Sequence, residues 1–520
     1  MAAPMVGPGS TRRWIAALLL AISAPAHAEI YRFESELVPA SRTLVGKYMF
    51  YVYAHQDSPD KSKGHPYVQF ADFDLEEVVH FDGSNQKVSK DSIQVSLVPW
   101  EDFETLVDHE HFCSCGDDIM KNAAKGEKQV IFKGLNGTNE NNTADVHVYT
   151  VGDAEGQVAS KPAAKMSNRQ ALKRTGVYLL AISNCGDSAE VTVSGKVVVR
   201  NAYGFLPGNE YGKKITYSYV TGVYFAMLVY WASQCVQFSD DLIFTHYCLF
   251  AVIAMGLVES SLWFIHIVEW NSSGEALRFL LTAAMLFSGL KHMLTVMLVL
   301  VTAMGKGVTV PQLEGQTTMR IVIWATIFIC FNYSRMYIME MRHRYSLSVK
   351  FTGLAWIPTL VLAVVFVSWI CLSMSNTKSS LREQGQEVKL AKFSRFQFVI
   401  CLMVPLGAAI FGMQLTDLPG RTSDWWNYHW MSSDAASAVA GILFYLVMMM
   451  LWAPSEGGKR QEYSQQIVAT DEDEAASFAP EGFGSATGSA PMVEVAEQMT
   501  PAEEGGLIPD TIGAQDKDEV

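Results

Sequence analysis

Seven apolar runs fill the second half of this chain, at residues 215–236, 242–268, 277–304, 319–341, 352–374, 394–416 and 434–452. Each is near or above the ~20 residues that an α-helix needs to cross a bilayer core. Backbone polar groups find no water in hydrocarbon, so single segments of this kind span it as helices that satisfy their own hydrogen bonds. The pattern therefore predicts a seven-helix transmembrane bundle over residues 215–452, with the second and third helices tilted or projecting. A length of 520 residues alone would suggest three or four soluble domains, but 49% of the residues are hydrophobic, 18% are charged, and the charge gathers at the two ends.

The flanks set the topology. Arg12 and Arg13, the short apolar stretch 14–24 and the small-x-small site Ala26-His27-Ala28 read as a cleaved secretory signal over residues 1–28. Residues 29–200 carry alternating apolar runs at 43–54, 93–99, 129–132, 145–151, 177–183 and 189–200, separated by Gly, Asn, Asp and Ser, which predict a small β-sandwich. Residues 201–214 read as a linker. With the signal removed, the sandwich lies on the lumenal or extracellular side, and seven crossings leave the C-terminus in the cytosol. Sequons at Asn136 and Asn141 share one polar loop, as glycosylation on that side requires. A third, at Asn271, lies too close to the membrane to be used. Loop bases agree in part: Lys378, Arg382, Lys389 and Lys392 in the 375–393 loop suit the cytosol, whereas Arg342, Arg344 and Lys350 fall in a loop assigned to the lumen. Trp425, Trp426, Tyr428 and Trp430 before the seventh helix read as an interfacial aromatic belt.

The net charge of −14 is local, because after Leu451 there are 15 Asp and Glu against 3 Lys and Arg. Residues 453–520 read as a disordered acidic cytosolic tail, whose charge disfavours nucleic acid or anionic lipid as its partner, so no nucleic-acid partner is expected. Glu503-x-x-x-Leu507-Ile508 matches the acidic dileucine pattern that clathrin adaptors read, and Asp471 to Glu474 form an acidic cluster. Cys235, Cys248, Cys330, Cys371 and Cys401 fall in apolar runs as packing residues. Cys113, Cys115 and Cys185 lie in the secreted region, where Cys185 is expected to pair with either Cys113 or Cys115.

Charges at bilayer depth are costly, so each needs a compensating group. Glu259 in the second helix, Lys291 with His292 in the third and Arg335 in the fourth are expected at similar depth, with Glu259 pairing to Lys291 or to Arg335. Ser288, Lys291, His292 and Thr295 repeat at i, i+3, i+4 and i+7, which makes one polar face. Glu259, Trp263 and His266 repeat that spacing, as do Asn332 and Arg335. Such faces either line a hydrated cavity for an ion or a lipid headgroup, or hold a buried ion pair that fixes helix packing.

Enzyme motifs are missing from the sequence. His246, His266, His292, His343 and His429 are scattered without metal-ligand spacing, and no nucleophile elbow or phosphate-binding glycine loop occurs. No catalytic residue, metal or cofactor is expected. The third run ends without Asp/Glu-Arg-Tyr and the seventh without Asn-Pro-x-x-Tyr, so rhodopsin-type signalling is unsupported.

Several motifs together resemble the GOLD-domain seven-transmembrane-helix family, also called lung seven-transmembrane receptors. They are Asn201-Ala-Tyr-Gly-Phe-Leu-Pro-Gly208, Met255-Gly-Leu-Val-Glu259, Leu290-Lys291-His292, Gly305-Lys-Gly-Val-Thr-Val-Pro311-Gln-Leu313, Asp424-Trp425 and Leu451-Trp452-Ala-Pro454-Ser. Lys291 and the acidic tail resemble the transmembrane protein 87 branch. The resemblance implies a GOLD-like lumenal β-sandwich on the bundle and residence in Golgi and endosomes, with the plasma membrane as a further location. It also implies Golgi–endosome traffic as a lipid or membrane-cargo chaperone, with lipid in the bundle cavity, a lumenal cargo or ligand, and clathrin adaptors on the tail. Conduction of cations, or a contribution to mechanically evoked currents, is the alternative, and an orphan ligand receptor is another. The chain departs from the branch in having His292 where arginine is typical, Val310 and Gln312 in place of loop bases, and a lone Asp434 in place of an acidic pair.

Overall fold

The computed structural model describes residues 30–38, 45–77, 93–101, 147–150, 169–184, 191–306, 313–345, 353–416 and 426–456. The signal segment, Cys113, Cys115, Cys185, Asn136, Asn141 and the Glu503–Leu507–Ile508 motif lie outside the described residues.

Among the described residues eight strands come first: β1 (Ile30–Val38), β2 (Val45–Val52), β3 (Tyr67–Glu77), β4 (Ile93–Pro99), β5 (His147–Thr150), β6 (Arg169–Ala171), β7 (Gly176–Asn184) and β8 (Val191–Arg200). They form two four-stranded sheets, ordered β1-β8-β3-β6 and β2-β7-β4-β5, and every pairing is antiparallel. Period-2 alternation explains the sandwich. Val193, Val197 and Val199 of β8 turn inward from one sheet and meet Tyr178, Leu180 and Ile182 of β7 from the other, with Phe50, Val52, Val68, Phe70, Val95 and Leu97 filling the space between. Three strands escaped the sequence reading. In β3 the pairing shifts register between Ala71 and Asp74, and in β1 between Phe33 and Glu36. Such irregularities break the alternation that marks a strand. Strand β6 is three residues long and has little pattern to offer.

Seven α-helices follow among the described residues: α1 (Tyr211–Gln237), α2 (Phe244–Ser273), α3 (Arg278–Ala303), α4 (Gly315–Tyr345), α5 (Trp356–Glu383), α6 (Glu387–Thr416) and α7 (Ala436–Leu451). Five of them, α2 to α6, are long and apolar enough to cross a membrane by length and composition. Helix α1 carries more polar residues, and α7 is shorter but continues a π-turn over Met431–Ala435. Two expectations need correction. The first helix starts at Tyr211, inside the expected 201–214 linker. The expected 375–393 loop is helical except for a three-residue turn at 384–386, so Lys378, Arg382, Lys389 and Lys392 stand on α5 and α6. Lys, Arg, Glu and Gln are good helix formers and carry a helix past the bilayer edge that apolar runs delimit.

The sandwich is tied to one end of the bundle. Asn201, 1% exposed, accepts a hydrogen bond from the Tyr53 N–H and donates to the Tyr51 and Leu206 carbonyls. Asn271, near the end of α2, accepts from Leu206 N–H at 3.2 Å and donates to the Tyr203 carbonyl at 3.1 Å, while its own carbonyl accepts from Phe205 N–H. Gly204 sits in this knot at φ +143, and a Cβ there would lie 2.4 Å from Asn271 Oδ1. The Asn-Ala-Tyr-Gly-Phe-Leu-Pro-Gly motif is thus the seam between the two domains. Trp426 packs on Tyr51 and Tyr53, and Trp430 on Gly212, so these two members of the expected aromatic belt are contacts inside the protein. Since the Asn271 side chain is engaged on both sides, we expect no glycan at Asn271, which mass spectrometry of tryptic peptides would check.

Candidate functional site

Helix boundaries fix the depth of the buried charges. At about 1.5 Å per residue, Glu259 lies about 22 Å from the start of α2, and Lys291 about 18 Å from the end of α3. Both starting points are at the end away from the sandwich, so the two groups are level near mid-membrane. Glu259 and Lys291 form a close ion pair, with side chains 7% and 13% exposed. Arg335 does not join it. It lies about 30 Å along α4 from the same end, well nearer the sandwich. A side-chain hydrogen bond between Tyr333 and Thr282 fixes that register against the first turn or two of α3. The expectation of equal depth is therefore overturned. It took the fourth helix to begin at residue 319, and the helix begins at Gly315.

Groups that the sequence reading did not single out surround the pair. Tyr224 of α1 is 1% exposed, and its ring lies 5.9 Å from Lys291 Nζ. Gly256 of α2 makes this possible, since a Cβ at that position would stand 2.4 Å from the Tyr224 ring. Thr295 Oγ1 and the Tyr445 hydroxyl of α7 lie 2.7 Å apart, and Thr295 also donates to the Lys291 carbonyl. Tyr224 and Tyr445 approach at 6.2 Å between centroids. So α1, α2, α3 and α7 converge on one closed polar cluster, from which only Glu259, Lys291 and Thr295 were expected. The glycine three residues before Glu259 was visible in the sequence; the two tyrosines sit in apolar runs and gave no signal. Tyr445→Phe removes the bond to Thr295 and should cost about 0.5–1.5 kcal/mol, read as a lower thermal midpoint in detergent micelles.

The remaining expected residues are placed elsewhere. Ser288 is buried, and its carbonyl accepts from His292 Nδ1 at 2.7 Å; His292 itself is exposed. Asn332 is buried beside Arg335, with Nη2 3.5 Å from Asn332 Oδ1. His266 is 1% exposed between Trp263 and Trp270, and Trp263 stacks on Tyr217 at 5.8 Å. Nearer the sandwich, Asp434 in the π-turn binds Lys213 at 3.3 Å and accepts from the Tyr217 hydroxyl at 2.9 Å, while Lys213 also meets Glu210 at 2.7 Å. Cys235 and Cys248 pack against the bundle core, as expected, whereas Cys330, Cys371 and Cys401 are exposed on the helix surfaces. Among the described residues no three metal-ligating side chains come together.

Residues 213–459 match the family described as GOST, seven transmembrane domain. Transmembrane protein 87A of Homo sapiens is 26% identical over 283 residues, which are 54% of this chain and 49% of that protein. Transmembrane protein 87B of Mus musculus is 23% identical over 300 residues, 57% and 53% of the two chains. Membrane protein PTM1 of Saccharomyces cerevisiae is 23% identical over 324 residues, 60% of each. The chain spans about half the length of the transmembrane protein 87 relatives it matches.

Proposed function

We propose that this multi-pass chain, which carries the seven-transmembrane domain described as GOST and is similar to the transmembrane protein 87 proteins, acts in Golgi–endosome membrane traffic as a chaperone for a lipid or a membrane-embedded cargo. In this reading the sandwich is lumenal and meets a protein cargo or ligand. The tail is cytosolic and meets clathrin adaptors through Glu503, Leu507 and Ile508.

One observation carries the reading over cation conduction. The mid-helix carboxylate Glu259 is neutralised by Lys291, and Asp434 is held by Lys213. A cation pathway is lined by acidic groups or carbonyls free to replace water around the ion. Here both of these acids are already paired, while Arg335 has no carboxylate partner among the described residues. Such a charge pattern suits an anionic headgroup better than a metal cation. Full-length protein in liposomes decides the matter: we expect no cation current above that of empty liposomes and lipid retained through purification. A current lost on Glu259→Gln would sink the chaperone and establish the channel.

A further inference from the structure

Two histidine rings meet at the neck of the loop that joins β2 to β3. The ring centroids of His55 and His65 are 4.1 Å apart, with 41° between the planes. His55 Nδ1 is buried and has no hydrogen-bond partner among the described residues, while His65 is exposed. Buried polar groups are paired in nearly all proteins, and an unpaired one costs the desolvation it does not recover. The backbone on both sides of the neck is pinned. Ala54 N–H donates to Thr175 Oγ1, the Thr175 hydroxyl donates to Asp57, and Asp57 N–H closes a turn on the Ala54 carbonyl. On the other side, Gly64 N–H closes a turn on the Lys61 carbonyl. Pro66 biases His65 before it towards extended backbone, and the Pro66 carbonyl accepts from Leu172 N–H at 3.1 Å. Nine residues separate the two histidines, a spacing that carries no metal signature, so only the fold brings them together.

Neutral imidazole binds zinc(II) and copper(II) through one ring nitrogen, at about 2.0–2.1 Å for zinc. Two such nitrogens at right angles around one ion stand about 3 Å apart, which rings with centroids 4.1 Å apart can reach with little movement. A plain ring stack leaves His55 Nδ1 unpaired; with the ring proton on Nε2, that nitrogen offers its lone pair to an ion. Asp57 is engaged by Thr175 and Asp60 by Ser62. No third metal-ligating side chain joins the pair among the described residues, so water completes the coordination on the exposed His65 side. The charges within the loop cancel, Asp57 and Asp60 against Lys61 and Lys63, and leave no net repulsion against a cation. We propose that His55 and His65 bind one divalent transition-metal ion, copper(II) more tightly than zinc(II) as the order of divalent affinities requires, and that the ion clips the β2–β3 loop at its neck. The same loop reaches the seam between the domains, where Lys63 N–H donates to the Ala202 carbonyl at 2.8 Å. The clip therefore steadies the end of the sandwich that rests on the bundle. The site stands apart from the Glu259–Lys291 cluster and does not depend on the trafficking reading.

The test uses the full-length, untagged protein in detergent, stripped with a chelator and titrated by calorimetry with copper(II), zinc(II) or magnesium chloride. Copper(II) should bind at one ion per chain, zinc(II) more weakly, and magnesium not at all. The electron paramagnetic resonance spectrum of the copper(II) form should show two coordinated imidazole nitrogens. His65→Gln should weaken copper(II) binding about tenfold or more and leave folding intact, because His65 is exposed. His55→Gln should weaken it as much; if that variant does not fold, His65→Gln and His65→Ala carry the test. Copper(II) should also slow tryptic cutting after Lys61 and Lys63, both exposed, several-fold in the wild type and not in His65→Gln. Absence of binding, equal binding in the wild type and His65→Gln, or a spectrum without two imidazole nitrogens means that the rings merely stack, and overturns the proposal. Binding that leaves the cutting rate unchanged overturns the clip.

Discussion

Lys291→Ala will destabilise the bundle by about 3–5 kcal/mol, because it leaves a buried carboxylate without its counter-charge. Glu259 is 6% exposed, and its neighbours among the described residues offer no second cation: Arg335 lies well along α4 from it, and Lys213 is held by Glu210 and Asp434. The Glu259→Gln/Lys291→Met double variant removes both charges at similar volume and should recover most of that loss, since a buried pair against a well-packed neutral pair is often close to break-even. Unfolding in mixed micelles, followed by tryptophan fluorescence, gives both numbers. If the single and double variants were equally unstable, the pair would contribute through shape and the charge argument would fail. This experiment also separates two roles that the sequence left open. Full recovery of stability together with lost lipid retention would assign the pair to function, and recovery of both would assign it to packing.

Gly204→Ala should be as damaging, by a different cause. The backbone there has φ +143, where a side chain is strained by about 1–3 kcal/mol. The new Cβ would also meet the Asn271 carbonyl at 2.5 Å, and that atom is helix backbone that cannot swing away. Overpacking of this kind adds about 1–3 kcal/mol. The knot through which Tyr203, Phe205 and Leu206 hold Asn271 would open, and the sandwich would lose its hold on α2. Limited proteolysis should then cut within residues 201–210 while the bundle stays intact. Asn271→Ala removes two side-chain hydrogen bonds and no backbone strain, so it should be milder. A Gly204→Ala protein as protease-resistant as wild type would show that the linker does not bear on domain contact.

Much of the architecture was legible. Segment length against bilayer thickness gave the helices, and alternation gave strands β2, β4, β5, β7 and β8. Boundaries were not legible. Apolar runs report where hydrocarbon is, whereas Lys378, Arg382, Lys389 and Lys392 are soluble residues that still favour a helix. The aromatic residues before the seventh helix were read as membrane-facing, since composition cannot tell a lipid headgroup from the face of a neighbouring domain. Trp426 and Trp430 turned out to touch that domain and α1.

The sequence by itself determined that a β-rich domain precedes a multi-pass bundle of seven helices, and that Glu259, Lys291 and Arg335 each need compensation. Both follow from transfer free energies, which depend on residue type alone. Only the tertiary structure decided which charge meets which. Pairing depends on depth and on helix rotation, and four residues of extra helix at the start of α4 move Arg335 about 6 Å along it. Depth set Glu259 against Lys291, closed the cluster with Tyr224 and Tyr445, and left Arg335 beside Trp356 with donors to spare.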